Sequence, residues 1–225
     1  MLEPLVITID GPAGAGKSTV AQMLAARLGL TYVDSGATYR ATALKVLEAG
    51  IDPLDEPAVT RIVAATDVRV TPGDGAPHVL VDGDDVTARL RTPEVTLAAA
   101  QVSRLPEVRA KLIQMQRSFA RGKGVVMEGR DIGTVVFPQA KLKIFLKADM
   151  EERARRRLKQ DSHDSNVATI EKTAYEIGRR DQLDSERKIS PLKPASDAVE
   201  IDSTNLIAEQ VVEQILELAR NRQLM

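Results

Sequence analysis

Apolar residues along the 225-residue chain change period several times, and those changes mark out its elements. Residues 5–10, Leu-Val-Ile-Thr-Ile-Asp, are a short and mostly β-branched run, as a buried strand requires. From Lys17 to Leu28 the period turns helical, with Val20, Leu24, Ala25 and Leu28 on one face and Gly29 as the stop. Residues 31–33 read as a strand, 37–49 as a helix halted by Gly50 and Pro53, and 57–65 as a short helix. Pro106 opens a helix that turns Val108, Leu112, Met115 and Phe119 to one side. Residues 124–127, 142–146 and 198–202 read as further strands. A last helix, over residues 205–222, points Ile207, Val211, Ile215 and Leu218 inward. Strands alternating with helices predict an α/β protein: three layers around a five-stranded parallel sheet.

One segment breaks the alternation. Between Asp67 and Arg91, Val68, Val70, Val79, Val81 and Val86 alternate with polar residues, and Pro72–Gly75 and Asp82–Asp84 supply turns. This predicts a small antiparallel β insertion of two or three strands at 67–91 within a single domain.

Composition adds exclusions. Cysteine is absent, which excludes disulfides, thiol chemistry and zinc–thiolate sites. Aromatics are 3% and tryptophan is absent, so the core must be aliphatic. No apolar run approaches membrane-spanning length and no basic, cleavable leader precedes residue 5, so a cytoplasmic protein is expected. The net charge of −1 gives no general pull on nucleic acid. Arginine outnumbers lysine 20 to 11, a bias that suits bidentate binding of phosphate and carboxylate.

The first strand runs straight into the chemistry. Gly11, Pro12, Ala13, Gly14, Ala15, Gly16, Lys17 and Ser18 fit the phosphate-binding pattern G-x-x-x-x-G-K-[ST], and Thr19 follows. Glycines let the backbone N–H groups curl around a β-phosphate at the positive end of a helix. Lys17 adds a charge for the β- and γ-phosphates, and Ser18 offers a hydroxyl to Mg²⁺. The core is therefore expected to be of the P-loop NTPase type, with a nucleoside triphosphate on residues 11–19. Ligands of open α/β sheets bind beyond the carboxyl ends of the strands. Polar clusters stand at three such ends: Asp34-Ser35, Glu128–Asp131 and Asp202–Thr204. They suggest a second ligand beside the first. Read this far, the residues leave open a kinase for a small acceptor and a nucleotide-dependent switch or assembly ATPase.

Three longer motifs narrow this. Asp34-Ser-Gly-Ala-Thr-Tyr-Arg40, Gly129-Arg-Asp-Ile-Gly-Thr-Val-Val-Phe137 and Arg180-Asp-x-x-Asp-x-x-Arg187 together resemble bacterial cytidylate kinase. Pro191-Leu192 and Ala198–Thr204 extend the resemblance over nearly the whole chain. It implies transfer from ATP to CMP and dCMP in pyrimidine nucleotide metabolism, with Mg²⁺ and with nucleotides as the partners of a monomer. Neither nucleic acid nor membrane belongs to that reading. It also implies that Arg40 and Arg130 hold the acceptor phosphate, that Ser35, Arg109, Asp131 and Arg187 read cytosine, and that Arg180 and Asp184 contact ribose. A carboxylate paired with guanidinium groups suits cytosine's amino donor beside two acceptors. Residues 37–105 are then the nucleoside-monophosphate-binding part. Two positions depart from the pattern: Ala100 replaces a serine of some relatives, with Ser103 one turn on, and Glu128 replaces a frequent aspartate.

The run Glu151–Lys159 has two readings. Glu152 and Arg156 pair at i,i+4 as on any solvated helix. The resemblance instead makes residues 150–168 a helical lid, with Arg153 and Arg157 meeting the transferred phosphoryl group. His78 and His163 lack metal-ligand spacing and read as surface residues.

Overall fold

In a computed structural model of the chain, residues 4–71, 73, 77–122, 124–161 and 170–225 are described. The turn expected at 72–75, His163 and the 162–168 end of the expected lid lie outside them, apart from Gly73. The chain forms two compact units, Met1–Tyr32 with Ala120–Met225, and Val33–Phe119.

The first unit is built on the five-stranded sheet, in the order β2 (Thr31–Asp34), β6 (Val125–Gly129), β1 (Val6–Asp10), β7 (Leu142–Lys147), β8 (Val199–Asp202). β1 pairs in parallel with β6 and β7, and β7 with β8. Register then decides which side chains share a face. Ile7 lies between Val126 and Leu142, and Ile9 between Glu128 and Ile144. Except for Glu128 these residues, with Leu146 and Ile201, form an aliphatic core under α1 (Lys17–Leu28) and α8 (Ala208–Asn221). The intervening residues Thr8 and Asp10 face the other way, toward a one-turn π-helix at Ile132–Val136. In that way β1 carries a polar stripe, Thr8 and Asp10, on its second face.

The C-terminal helix corrects the expected boundary. It starts at Ala208, and Ile207 precedes it as the N-cap residue with 62% exposure. Its core face is Val211, Val212, Ile215, Leu216 and Ala219, with Leu218 only packed at the margin. Two helices of this unit follow β7, α6 (Met150–Asp161) and α7 (Ile170–Ser185). The apolar pattern does not delimit α7, because its buried positions are Thr173, Ile177 and Asp184.

The second unit holds the insertion. β3 (Val68–Thr71), β4 (His78–Val81) and the two-residue β5 (Asp84–Asp85) form an antiparallel three-stranded sheet. Val86, expected to continue a strand, instead starts a 3₁₀ turn at Thr87–Arg89 and is buried with Val68, Val79 and Val81. Around it pack α2 (Ser35–Glu48) and α4 (Pro93–Val102), whose N-caps are the side chains of Asp34 and Thr92. α3 (Glu56–Ala65) and α5 (Pro106–Ser118) complete a second cluster through Val59, Val63, Val108 and Leu112. Among the described residues no helix is long and apolar enough to cross a membrane.

The packing difference within α8 is testable. Ile215→Ala should destabilise the chain by about 2–5 kcal/mol, whereas Leu218→Ala should cost clearly less. Urea denaturation of the two variants measures this, and equal losses would contradict the assigned core face.

Candidate active site

The loop between β1 and α1 follows from two steric facts. At Gly11 a Cβ would collide with the carbonyl oxygen of Leu146, so only glycine lets the chain leave β1 alongside β7. At Gly14 a Cβ would meet the backbone and Cβ of Arg153 within 3 Å, at φ +76°. Helix α1 then begins after Gly16 with no side-chain cap. Its first N–H groups are the kind of donors that an anion satisfies.

Lys17 is buried, and its ammonium donates to the carbonyl of Pro12 at 2.7 Å. Burial, and then the guanidinium of Arg130, push its pKa down to about 7. Glu128 and Asp181 oppose that shift, while Arg180 adds to it. Glu128 in turn accepts from the Tyr32 hydroxyl at 2.9 Å.

Beyond β6 the chain turns through Arg130 and Asp131 into the π-helical turn. Asp10 holds this turn in place: its two carboxylate oxygens accept from Ile132 N–H at 2.8 Å and Gly133 N–H at 2.7 Å. Burial raises the Asp10 pKa to about 6 against the pull of those two N–H groups. Asp131 is buried at the start of the turn, and its carbonyl accepts from Val135 N–H at 2.8 Å. Arg130 donates through Nε to Asp184 at 2.8 Å, and Arg187 pairs with the other oxygen of Asp184. Burial alone would raise Asp184, yet Arg130, Arg187 and Arg180 together hold it below the usual carboxylate range. Burial likewise works against the charge on Arg130, and Asp184 restores it.

Helix α6 closes the unit's polar cluster. Arg153 is buried and bonded to Ala13 and Asp181, and Arg156 reaches Ser203 and Ala15. Of the two arginines expected from the sequence, Arg153 thus lies against the phosphate loop. Arg157 is half-buried on the same helix, and the neighbouring Arg156 makes the second set of contacts near the loop.

The remaining expected residues belong to the second unit. Ser35 is buried at the first turn of α2, beside the Asp34 cap, whose Oδ1 accepts from Ala37 N–H at 3.1 Å. Arg40 donates to the Asp34 Oδ2 at 2.6 Å. Burial works upward on Asp34, but Arg40 and the Ala37 N–H hold it low. Arg109 is buried on α5, donates to the Ser103 carbonyl at 3.1 Å and lies 5.5 Å over the Tyr39 ring. The Ser103 hydroxyl bonds to the Ala100 carbonyl at 3.0 Å. Lys17, Arg130, Asp131, Arg153, Arg180, Asp184 and Arg187 therefore sit in one unit, and Ser35, Arg40 and Arg109 in the other.

A family model described as cytidylate kinase matches residues 7–221. The chain belongs to the cytidylate kinase family. It is 48% identical to "Cytidylate kinase" of Caldicellulosiruptor bescii over 220 residues, 96% of each chain. It is 49% identical to the "Cytidylate kinase" of Geobacillus kaustophilus over 222 residues, 99% of each. A solved structure of an uncharacterized protein from Eubacterium ventriosum shares the fold at TM-score 0.50. The two are 10% identical, over 95% of this chain and 97% of that one.

Set beside the family motifs, the structure adds Asp10 and Asp181, and it brings Arg156, expected only as the partner of Glu152, to the phosphate loop as well. Their contacts with the π-helical turn and the phosphate loop span 122 and 123, 141, and 168 residues of chain, so no local spacing could reveal those contacts. Only Asp181 had a positional hint, since it stands inside the Arg180–Arg187 motif.

The lowered pKa of Lys17 has a sign that can be measured. With a value of about 7 in the free chain, Lys17 is mostly neutral at alkaline pH. A polyphosphate on the loop restores its charge, so binding takes up protons and weakens as pH rises past 7. Calorimetric titration of Mg-ATP at about pH 8 in two buffers of different ionisation enthalpy should show net uptake, lost in Lys17→Met. Equal heats in both buffers would contradict it.

Proposed function

We propose that the chain transfers the γ-phosphoryl group of ATP to CMP, giving ADP and CDP, and that it acts likewise on dCMP. The observation that carries this reading is the family match over residues 7–221, which takes in both the phosphate loop and the Arg130–Asp184–Arg187 cluster. A phosphate loop alone serves switches, motors and kinases. A second set of arginines in the same unit, half-buried around the buried Asp184, suits a second anionic ligand.

The reaction asks little covalent chemistry of the protein. The acceptor oxygen of a monophosphate is already anionic, so no general base is needed. Positioning and charge neutralisation do the work. Residues 11–19 hold the triphosphate of ATP, with Lys17 on its β- and γ-phosphates. Arg153 and Arg157 act on the phosphoryl group in transit, and Arg130 with Arg40 holds the CMP phosphate. Ser35, Arg109, Asp131 and Arg187 read the base, while Arg180 and Asp184 contact the sugar. Residues 37–105 serve as the monophosphate-binding part and 150–168 as the lid.

Mg²⁺ fits this donor set. The ion commonly takes one or two protein oxygens and completes its shell with substrate phosphates and water. The half-buried Ser18 hydroxyl at the first turn of α1 offers such an oxygen, and the ion supplies neutralisation of the phosphate charge.

Coupled turnover with CMP, dCMP, UMP and AMP under saturating Mg-ATP tests the reading. CMP should be the best acceptor and dCMP should be used. ATP hydrolysis that ignores every acceptor would instead mark a switch or assembly ATPase, and preference for another acceptor a different kinase. Lys17→Ala should abolish transfer. Asp131→Ala should lower kcat/KM for CMP more than for UMP, and equal losses would remove Asp131 from base recognition.

A further inference from the structure

A closed ring of hydrogen bonds joins the phosphate loop to two helices. Ala13 N–H donates to Asp181 Oδ1 at 3.0 Å. Arg153 Nη1 pairs with Asp181 Oδ2, and the same nitrogen donates to the Ala13 carbonyl at 3.1 Å. Both the donor and the acceptor of one loop residue are thereby fixed, one by α7 and the other by α6. The ring is shielded: the side chain of Arg153 is 9% exposed and that of Asp181 15%. Gly14 makes the contact possible, because any Cβ there would collide with Arg153.

A carboxylate is a costly neighbour for a site meant to hold a triphosphate, since like charges repel. Its presence is explained by the cations it faces. Lys17, Arg130 and Arg153 all interact with Asp181. Without a counter-charge the guanidinium of Arg153 would be pushed away from Lys17 and Arg130 and would have no single orientation. With it, Nη1 is tied down, Nη2 rests 3.4 Å from the Met150 sulfur, and Nε is a buried donor with no partner among the described residues. A buried, oriented and unsatisfied N–H beside a phosphate loop is a donor held ready for an anion. Each oxygen of Asp181 already accepts from the protein, Oδ1 from Ala13 N–H and Oδ2 from Arg153.

We infer that Asp181 is a positioning residue of the donor-phosphate site, holding Arg153 and the Ala13 peptide in the geometry that phosphoryl transfer uses. It acts through Arg153 and does not touch the substrate. The inference rests on the reading of residues 11–19 as the ATP site, and it gives the reaction a residue beyond the family motifs' assigned roles.

The test is a double-mutant cycle on the full chain with Asp181→Asn, Arg153→Ala and the pair. Asparagine keeps the size of Asp181 and an acceptor for Ala13 N–H but removes the charge that orients Arg153. Each single variant should lower kcat on the order of 10- to 100-fold, with KM for CMP little changed. The pair should lose no more than the worse single variant, because one residue works through the other. Asp181→Glu, which keeps the charge, should recover part of the loss, and it replaces Asp181→Asn in the cycle should that variant fail to fold. Losses that multiply, or an Asp181→Asn enzyme within about twofold of wild type in kcat, would overturn the inference. Wild-type turnover of CMP separates the two readings. If the wild type leaves CMP unphosphorylated, the proposed function fails by itself. The same cycle is then read on the dissociation constant of Mg-ATP, where coupling supports the Asp181 role and independence overturns it.

Discussion

Two hydrogen bonds to one carboxylate hold the chemistry of the first unit together. Asp10 is the last residue of β1 and the last before the phosphate loop, and it accepts from the adjacent N–H groups of Ile132 and Gly133. The turn so anchored begins immediately after Arg130 and Asp131. The two neighbouring N–H groups take one oxygen of Asp10 each, and an ionised carboxylate offers both oxygens as acceptors. A protonated acid or an amide would turn a donor toward one of them. Burial makes that ionised state expensive, as the pKa of about 6 records. Because this value lies above that of an unfolded aspartate, the folded chain holds the extra proton. Asp10 therefore subtracts stability as pH rises through the window from about 4 to 6. Folding alone gives no reason to keep such a group, whereas the geometry of the Arg130–Asp131 turn does. The π-helical form of that turn agrees, since such turns cluster at functional sites.

The same logic runs through the rest of the unit. Buried and half-buried cations near the phosphate loop each face a carboxylate. Arg130 and Arg187 have Asp184 from α7, Arg153 has Asp181, and Lys17 feels Glu128 from β6. Buried pairs contribute little net stability, because desolvation offsets most of the attraction. Their use is orientation: a guanidinium fixed by a carboxylate presents its remaining donors in one direction.

The sequence disclosed the parts of this arrangement that rest on local spacing. The phosphate loop is a contiguous motif, and the strands of the sheet are apolar runs, so both could be read directly. Helix α8 was legible as a helix, but its first turn was not, because Ile207 is apolar yet stands outside as the N-cap. Val86 misled in the opposite way: it keeps the alternation of a strand but is buried from a 3₁₀ turn. Helix α7 escaped the hydrophobic pattern because the side it buries carries threonine and aspartate. Asp184 on that face is one of the candidate site residues, and hydropathy gives no sign of it. Asp10 and Asp181 were hidden for another reason. Their meaning lies in backbone N–H groups more than 100 residues away, and backbone groups leave no mark on sequence.

The pairing of arginines with carboxylates also bears on how a phosphate-transfer site avoids binding its ligands too tightly. Four such cations left unpaired would attract any polyphosphate strongly, and binding that is equal in ground and transition states adds nothing to kcat. Each carboxylate discounts that general attraction while leaving directed N–H donors in place. What remains is sensitive to where the charge is, not merely to how much there is. In a transfer with little covalent participation by the protein, that distinction separates a site that holds a nucleotide from one that moves a phosphoryl group. Asp181 is the sharpest instance: it lowers the positive charge beside the loop and in the same contact aims Arg153 at it.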